Sequence, residues 1–417
     1  MSREMVVPSR STLTLGSVEG NLILGRGATI RGEGVPPKLS VSETVRCEEN
    51  CTFECDLSAE NLEGEGDVLI HGDLEVKDRV KIRDGCLNVT GGMSAKRVDV
   101  DKSLVIGKNL KVEDIDVGGS LEVKGNTQAQ GIDVGGRFTG IGEVKAKNID
   151  VGGSVNIESK VDVAKINVGG TASVKGGRVG KIDVGGSFES KDSLEFGTID
   201  VGGVVRLAGK CVGGDIDVGG SCKVDGDLKF GKLDVGGVVE FSGSAQGNDL
   251  DVGGTVHVGA HLQLSGKLDV GGTIDVKGDL TAQTVDVGGS VKAHSATAMD
   301  EVLVGGSITT VVGVKAPYVR IGRRGEVTGP IRANEVLISE GARVEDVCAR
   351  TITMEERARA RNLYGERIFI ESECHIYGEV QYTESLRIER GVSFATPPVK
   401  VEKLPLPQSK TSAVSGR

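Results

Sequence analysis

The chain of 417 residues contains no tryptophan, and aromatic residues make up only 3% of it. Its repeated region lacks the i, i+3, i+4 spacing of apolar residues that indicates an amphipathic helix. Residues 1–20 contain no apolar run long enough for a signal-peptide core or a membrane span. We therefore expect a cytoplasmic protein that begins with a short flexible leader over 1–20. A weak apolar patch, Met5–Val7, leaves a peripheral membrane contact as an alternative.

Glycine is abundant, with 64 residues, but it does not recur at every third position as collagen requires. The charge is also unevenly distributed. The net charge is −10; residues 301–417 hold 17 Lys and Arg against 15 Asp and Glu, so the first 300 residues have a charge of −12. A surface that is acidic along most of the chain argues against nucleic acid as a partner.

One phrase, an apolar residue followed by Asp-Val-Gly-Gly, recurs twelve times between Ile115 and Ala316, with Asn or Leu in place of Asp in single copies. The copies follow one another at a nearly constant interval. Such a fixed period is the signature of a stacked-repeat architecture. The valines of the twelve copies are Val117, Val134, Val151, Val168, Val184, Val201, Val218, Val235, Val252, Val270, Val287 and Val304.

A single repeat contains three short segments in which apolar and polar residues alternate. In Ile216–Lys232 the apolar members of these segments are Ile216 and Val218, then Cys222 and Val224, then Leu228 and Phe230. Alternation of this kind is typical of half-buried strands. The glycines between the segments predict corners, where we expect that only glycine turns the chain without strain. We therefore predict an all-β, triangular, single-stranded β-solenoid, in which stacked coils share one continuous core.

The two ends of the chain follow a looser pattern, in which an apolar residue is followed by small or apolar residues at +4, +6 and +8. It appears at Leu24, Cys47, Ile321 and Ile370. We predict three zones of one solenoid, 21–114, 115–316 and 317–395, with about 17 residues per coil and about 22 coils. The proline-containing segment 396–417 is predicted to be a disordered tail.

The aspartates of the repeated phrase are predicted to point outward, because both of their neighbours point inward. Stacking would form a ladder of carboxylates about 5 Å apart, which is electrostatically costly. The favoured interpretation is that each Asp accepts a hydrogen bond from the Gly-Gly corner, and Asn167 fits it; a cation stripe is the alternative. The ladder comprises Asp116, Asp133, Asp150, Asp183, Asp200, Asp217, Asp234, Asp251, Asp269 and Asp286.

Neither the cysteines nor the histidines form a convincing chemical site. Cys51 and Cys55 align with Ala28 and Gly32 of a sister coil, so we predict that Cys47, Cys51 and Cys55 are small core or corner residues rather than metal ligands. The five histidines are isolated, and the nearly constant coil length leaves no room for pocket-forming loops. We predict no catalytic residues, no metal and no cofactor.

Arg357, Arg359 and Arg361 alternate with alanines, which predicts three guanidinium groups on one outer face. A solvated face is the simpler interpretation. The alternative is a docking patch for the acidic face of a neighbouring molecule or for lipid phosphates.

The segments VRIGRRGEVTGPIRANEVLISEG at 319–341 and LILGRGATIRGEG at 22–34 resemble the bactofilin family of polymer-forming cytoskeletal proteins. The resemblance implies a right-handed β-helix with disordered tails. It also implies nucleotide-free, end-to-end assembly into non-polar filaments, often beside a membrane. Apolar residues of the terminal coils are the expected polymer contacts; in this chain they are Leu22, Leu24, Ile30, Leu386, Ile388 and Phe394.

A solenoid whose terminal strands have no cap offers open edges to further pairing. We therefore expect a non-enzymatic scaffold that forms a homopolymer, with a peripheral membrane or other scaffold components as further partners. The alternative is a monomeric binding platform that holds a partner or cations on the aspartate ladder or the arginine patch.

Overall fold

A computed structural model describes residues 3–404 and confirms the predicted β-solenoid. All of the named secondary structure is β-strand, and successive strands pair in parallel with the strand about one coil further along the chain. In all, the chain makes about 23 turns, one more than the repeat length predicts. The chain divides into two compact units, 1–209 and 210–417, with the boundary inside the central repeat region.

Unit 1 contains 27 strands. They are β1 (Glu4–Val7), β2 (Thr12–Leu15), β3 (Ser17–Val18), β4 (Asn21–Leu24), β5 (Thr29–Gly32), β6 (Lys38–Val41), β7 (Thr44–Cys47), β8 (Cys51–Glu54), β9 (Asp56–Glu65), β10 (Val68–Ile70), β11 (Leu74–Arg83), β12 (Cys86–Val89), β13 (Met93–Ser94), β14 (Arg97–Val100), β15 (Ser103–Ile106), β16 (Leu110–Lys111), β17 (Asp114–Val117), β18 (Ser120–Val123), β19 (Thr127–Gln128), β20 (Gly131–Val134), β21 (Arg137–Gly140), β22 (Val144–Val151), β23 (Ser154–Val168), β24 (Thr171–Val184), β25 (Ser187–Ser190), β26 (Leu194–Val201) and β27 (Val204–Ala208).

Within residues 210–404, unit 2 contains 22 strands. They are β28 (Cys211–Val218), β29 (Ser221–Asp225), β30 (Leu228–Lys229), β31 (Lys232–Val235), β32 (Val238–Phe241), β33 (Ala245–Gly247), β34 (Asp249–Val252), β35 (Thr255–Val258), β36 (Leu262–Leu264), β37 (Lys267–Val270), β38 (Thr273–Val276), β39 (Asp279–Val287), β40 (Ser290–Val304), β41 (Ser307–Ile321), β42 (Glu326–Thr328), β43 (Ile331–Ile338), β44 (Arg343–Met354), β45 (Arg359–Ile370), β46 (His375–Ile376), β47 (Val380–Ile388), β48 (Ser393–Phe394) and β49 (Val399–Lys400).

Each coil has three faces. Face A carries the apolar-Asp-Val segment, face B follows the Gly-Gly corner, and face C follows the next corner. In unit 1, β17 of face A pairs with β20, β18 of face B with β21, and β19 of face C with β22. This register places each residue beneath its counterpart in the next coil, so that Val117 lies under Val134 and Asp116 under Asp133.

The core consists of the inward-pointing residues of all three faces. Ile115, Val117, Leu121 and Val123 are all at most 2% exposed, and their counterparts in the neighbouring coils are buried in the same way. Because alternate residues of a strand point to opposite sides, one register keeps every apolar column inside and every polar column outside. The alternation read in the sequence therefore corresponds to inside and outside throughout the repeated region.

The Gly-Gly corners are required by close stacking rather than by an unusual backbone angle. A Cβ atom added to Gly135 would lie 2.1 Å from the carbonyl oxygen of Gly118, and one added to Gly152 would lie 2.3 Å from that of Gly135. None of these glycines has the positive φ of the left-handed region. Our expectation that glycine relieves turn strain at these corners is therefore wrong; glycine is needed because successive corners touch.

The predicted flexible leader over 1–20 is also wrong for the residues that the structure describes. Strand β1 pairs in register with β4, and β2 pairs with β5, so this segment forms a coil of its own. The predicted disordered tail over 396–417 begins too early, because β49 pairs with Gln381 and Tyr382 of β47. The rest of that prediction, 405–417, lies outside the described residues.

Candidate functional site

The first coil of unit 1 covers the residues that were predicted to form the N-terminal polymer contact. Leu22, Leu24 and Ile30 are all fully buried, because β1 and β2 lie directly beneath them. The prediction that they form an open end is therefore wrong. The error follows from treating 1–20 as unstructured, since the pairing partner of β4 lies in that segment.

The residues at the N-terminal edge itself are those of β1 and β2. On these strands Leu13 is 37% exposed, and Met5 and Leu15 are half-buried although they point to the core side. Each of the two strands has a neighbour on one side only within the described residues. The first coil thus presents apolar side chains next to unpaired strand edges.

The last coil of unit 2 has the same character, and here the predicted residues do lie at the edge. Ile388 is 42% exposed, and Leu386 and Phe394 are half-buried. Leu386 stacks on Ile368, Ile388 on Ile370, and Phe394 on Ile376, each of which is almost fully buried. In the next coil, β49 covers Gln381 and Tyr382, and no other strand within residues 3–404 covers the edges of face A and face B.

The repeated aspartates form stacked ladders on face A. In unit 1, Asp116, Asp133 and Asp150 stack in register and are followed by Asn167, Asp183 and Asp200. In unit 2 the stacked residues are Asp217, Asp234, Asp251, Asp269 and Asp286. The column in unit 1 also includes Asp99 below Asp116.

These aspartates do not cap the Gly-Gly corners, so that prediction is wrong. The amide of Gly135 donates to the carbonyl oxygen of Val117 at 2.9 Å, and the amide of Gly136 donates to that of Gly119 at 2.9 Å. The backbone of the preceding coil thus satisfies the corner, and the Asp side chains stay free for other partners. Asn167 has a different role, since its Nδ2 donates to Asp150 Oδ1 at 2.9 Å.

Side-chain caps do occur, but they come from other aspartates and asparagines at the corners. Asp56 accepts from the amide of Asp73 at 2.8 Å, Asp215 from that of Lys232 at 2.8 Å, and Asn126 from that of Glu143 at 3.0 Å. Each cap joins a residue to one in the next coil, and therefore ties neighbouring coils together. No signal in the repeated phrase distinguishes these positions, because the capping residues vary from coil to coil.

The ladders differ in how their charge is compensated. In unit 2, Lys232 Nζ lies 3.2 Å from Asp234 and Lys267 Nζ lies 2.6 Å from Asp269, and these hydrogen bonds raise the pKa of both lysines. In unit 1, burial raises the pKa of Asp116, and the charges of Asp133, Asp99 and Asp101 raise it further. Asp99 of the unit 1 column is contacted by Arg79 at 2.6 Å and by Lys81 at 3.3 Å, whereas Asp116, Asp133 and Asp150 have no such ion pair among the described residues.

Within residues 3–404 no group of three or more His, Cys, Asp or Glu side chains is arranged to hold a metal ion. Cys47, Cys51 and Cys55 lie in the core. A hydrogen bond between Cys47 and Cys51 raises the pKa of Cys47 and lowers that of Cys51, while burial raises the pKa of Cys55 to about 11.

The predicted arginine patch is largely neutralised by acidic neighbours. Arg361 Nε donates to Asp346 Oδ1 at 2.8 Å, and Arg357 is hydrogen-bonded to Glu340. Only Arg359 has no acidic side chain within 4.0 Å among the residues that the structure describes. Three free guanidinium groups on one face are therefore not present.

A different set of basic residues was missed. On face B of unit 2, Arg343 stacks on Arg359 and Arg359 on His375, in three consecutive coils. We call these three residues the basic ladder. They recur once per coil, so a search for charge at the local coil period would have found them.

No helix in the described part of the chain is long and apolar enough to cross a membrane. Comparison with models of protein families, with curated proteins and with solved structures finds no match to this chain.

Proposed function

We propose that the chain is a non-enzymatic cytoplasmic scaffold that assembles into filaments through its terminal coils, without nucleotide or other cofactor. The observation that carries the proposal is the last coil, where Ile388, Leu386 and Phe394 are incompletely buried and no strand within residues 3–404 pairs with them on their outer side. Apolar side chains next to free strand edges are a template for adding another coil.

A terminal coil covers its apolar residues less completely than an internal coil does. Internal counterparts of these residues, such as Ile368, Ile370 and Ile376, are at most 2% exposed because a further coil covers them. A second molecule stacked on the edge would supply that cover and would also pair the unsatisfied backbone groups. The N-terminal edge, with Leu13 and Leu15, offers the same contact at the other end.

This proposal agrees with the resemblance to the bactofilin family. We propose, more specifically, that the chain is a member of that family. Assembly in which first coils meet first coils and last coils meet last coils would give a filament without polarity. The filament, rather than the single molecule, is then the functional state. Other scaffold components or a membrane surface then act as its partners.

The test is negative-stain electron microscopy and pelleting of the full-length protein and of two edge variants, Phe394→Arg and Ile388→Arg. We expect filaments from the original chain, because its edges can stack. We expect single particles from each variant, because a buried, unpaired guanidinium at the contact is unfavourable. Far-UV circular dichroism checks that the variants fold.

Val311→Arg is the matched control, since Val311 is 61% exposed and lies in β41 rather than in the last coil. It should form filaments like the original chain. Filaments that persist in Phe394→Arg and Ile388→Arg would refute assembly through the last coil. Filaments that disappear on adding a chelator would instead make the aspartate ladder a cation-dependent contact.

A further inference from the structure

The basic ladder carries charge that its own molecule leaves uncompensated. Arg343 and Arg359 are exposed and lie in adjacent strands, with His375 half-buried above them. Neither arginine has a carboxylate within 4.0 Å among residues 3–404. Glu326 pairs with Arg343 in the coil below, but their charged groups are further apart than that. Like charges directly opposite in a sheet are unfavourable, so this ladder is suited to an anionic partner.

The acidic surface that is complementary to the basic ladder is a run of three aspartates in unit 1. Asp116, Asp133 and Asp150 line a shallow groove of about 430 Å³ on face A, together with Asp114 and with Arg79 and Arg97. None of the four aspartates has a cationic group within 4.0 Å among the described residues, and the one hydrogen bond to them from a side chain comes from Asn167. Burial raises the pKa of Asp116, and the charges of Asp133 and Asp99 raise it further, which agrees with a lack of positive charge close to this carboxylate.

We propose that the basic ladder of one molecule docks laterally on Asp116, Asp133 and Asp150 of a second copy of the same chain. Both sets lie on consecutive parallel strands, and both therefore repeat at the strand spacing of about 4.8 Å. Two guanidinium groups and the imidazole of His375 meet three carboxylates of the same pitch, so every residue of one set has a partner in the other.

The regular pitch favours a second copy over other anionic partners. Lipid headgroups have no fixed spacing of this kind, whereas the stacked carboxylates of a second copy repeat at the strand spacing. An arginine can also donate two parallel hydrogen bonds to one carboxylate, which adds geometric selectivity. The contact fixes how molecules lie side by side, and it is separate from the stacking of terminal coils.

The test uses full-length chains that carry Phe394→Arg, so that end stacking does not contribute. Sedimentation velocity at low ionic strength measures association of this parent chain, of Arg343→Glu/Arg359→Glu and of Asp116→Lys/Asp133→Lys. We expect each double variant alone to associate at least about tenfold more weakly than the parent chain. An equimolar mixture of the two double variants should regain association, because each retains the half that the other has lost.

Lys315→Glu/Arg350→Glu is the matched control: it makes the same change in charge at two exposed residues of unit 2 that lie off the basic ladder. Its association should equal that of the parent chain. Equal weakening by this control, or a mixture that stays monomeric, would overturn the proposal. A lipid ligand would replace the second copy in this proposal if Arg343→Glu/Arg359→Glu self-associated normally but no longer bound phosphatidylserine vesicles. That result would also overturn the proposal. Unchanged filament formation by the ladder variants without Phe394→Arg separates this contact from end stacking.

Discussion

Gly135 stacks directly on Gly118, so that a Cβ atom on Gly135 would lie 2.1 Å from the carbonyl oxygen of Gly118. Neither residue has a positive φ, and their conformation is therefore open to other amino acids. The constraint comes from the coil below. This relationship repeats along the Gly-Gly corners, and it explains why a pair of glycines recurs in every copy of the phrase.

Gly135→Ala should destabilise unit 1 by about 1–3 kcal/mol, because the added methyl group meets backbone that cannot move without shifting the next coil. The measurement is the thermal or denaturant midpoint of the full-length protein. Gly131→Ala is the control, since its Cβ would meet only the end of the flexible Asp114 side chain, at 2.9 Å. It should change stability by less than about 0.5 kcal/mol. Equal effects of the two substitutions would contradict the stacking explanation.

Asp116→Asn should raise the unfolding midpoint at neutral pH. The pKa of Asp116 is raised in the folded protein by burial and by neighbouring aspartates, so its carboxylate form is destabilised there. The stabilisation that protonation gives is present below the unfolded pKa of about 3.9 and is lost as the pH rises through the folded pKa. The variant's advantage should therefore appear above the folded pKa and vanish at acid pH. Because Asp116 is exposed, the gain is small, roughly a few tenths of a kcal/mol.

Asp162→Asn is the opposite case on face C. Asp162 pairs in register with Lys145 in the coil below and with Arg178 in the coil above, so both of its neighbours in the stack are basic residues. Removing its charge should lower the midpoint slightly at neutral pH, in contrast to Asp116→Asn. Shifts of the same sign in both variants would show that the neighbouring charges do not decide the effect.

The thiols should differ widely in reactivity toward an alkylating reagent. Burial raises the pKa of Cys222 to about 12, and burial also raises the pKa of Cys374 to about 11. The thiolate is the reactive species, so both residues should be labelled only after unfolding. Cys86 is half-buried and should react in the native protein. Mass spectrometry of labelled peptides over time gives the order in which the thiols react. Early labelling of Cys222 would contradict the packing described for the core.

Asp346→Ala should weaken the last coils of unit 2. Asp346 Oδ1 accepts from Arg361 Nε at 2.8 Å and from Asn362 Nδ2 at 2.7 Å, so its removal leaves two partly buried donors without this partner. The expected cost is about 1–3 kcal/mol. Hydrogen exchange of β44 and β45 measures the local effect. Glu335→Ala, at an exposed residue, is the control and should leave exchange unchanged.

Much of the solenoid is predictable from the sequence, because inside and outside positions alternate and the coil length is nearly constant. The buried position of Val117 and Val134 can be predicted from a single repeat, because each is an apolar member of the alternating pattern. The end coils are harder to predict: residues 4–7 lack the repeated phrase, and only their pairing with Asn21–Leu24 shows that they form a coil. Side-chain partners are harder still. Whether an aspartate binds an amide, a lysine or nothing depends on the neighbouring coils, as Asp56 and Asp116 illustrate.

The in-register stacking of Asp116, Asp133 and Asp150 has a consequence for how such a chain changes length. Residues 118–134 form one complete turn, and Val134 at its end is the counterpart of Val117, which precedes it. Removing or duplicating this turn would join like to like and preserve every face, corner and core column. Length is therefore a modular quantity in this fold: it changes in steps of one strand spacing, about 4.8 Å, while the surface chemistry stays the same.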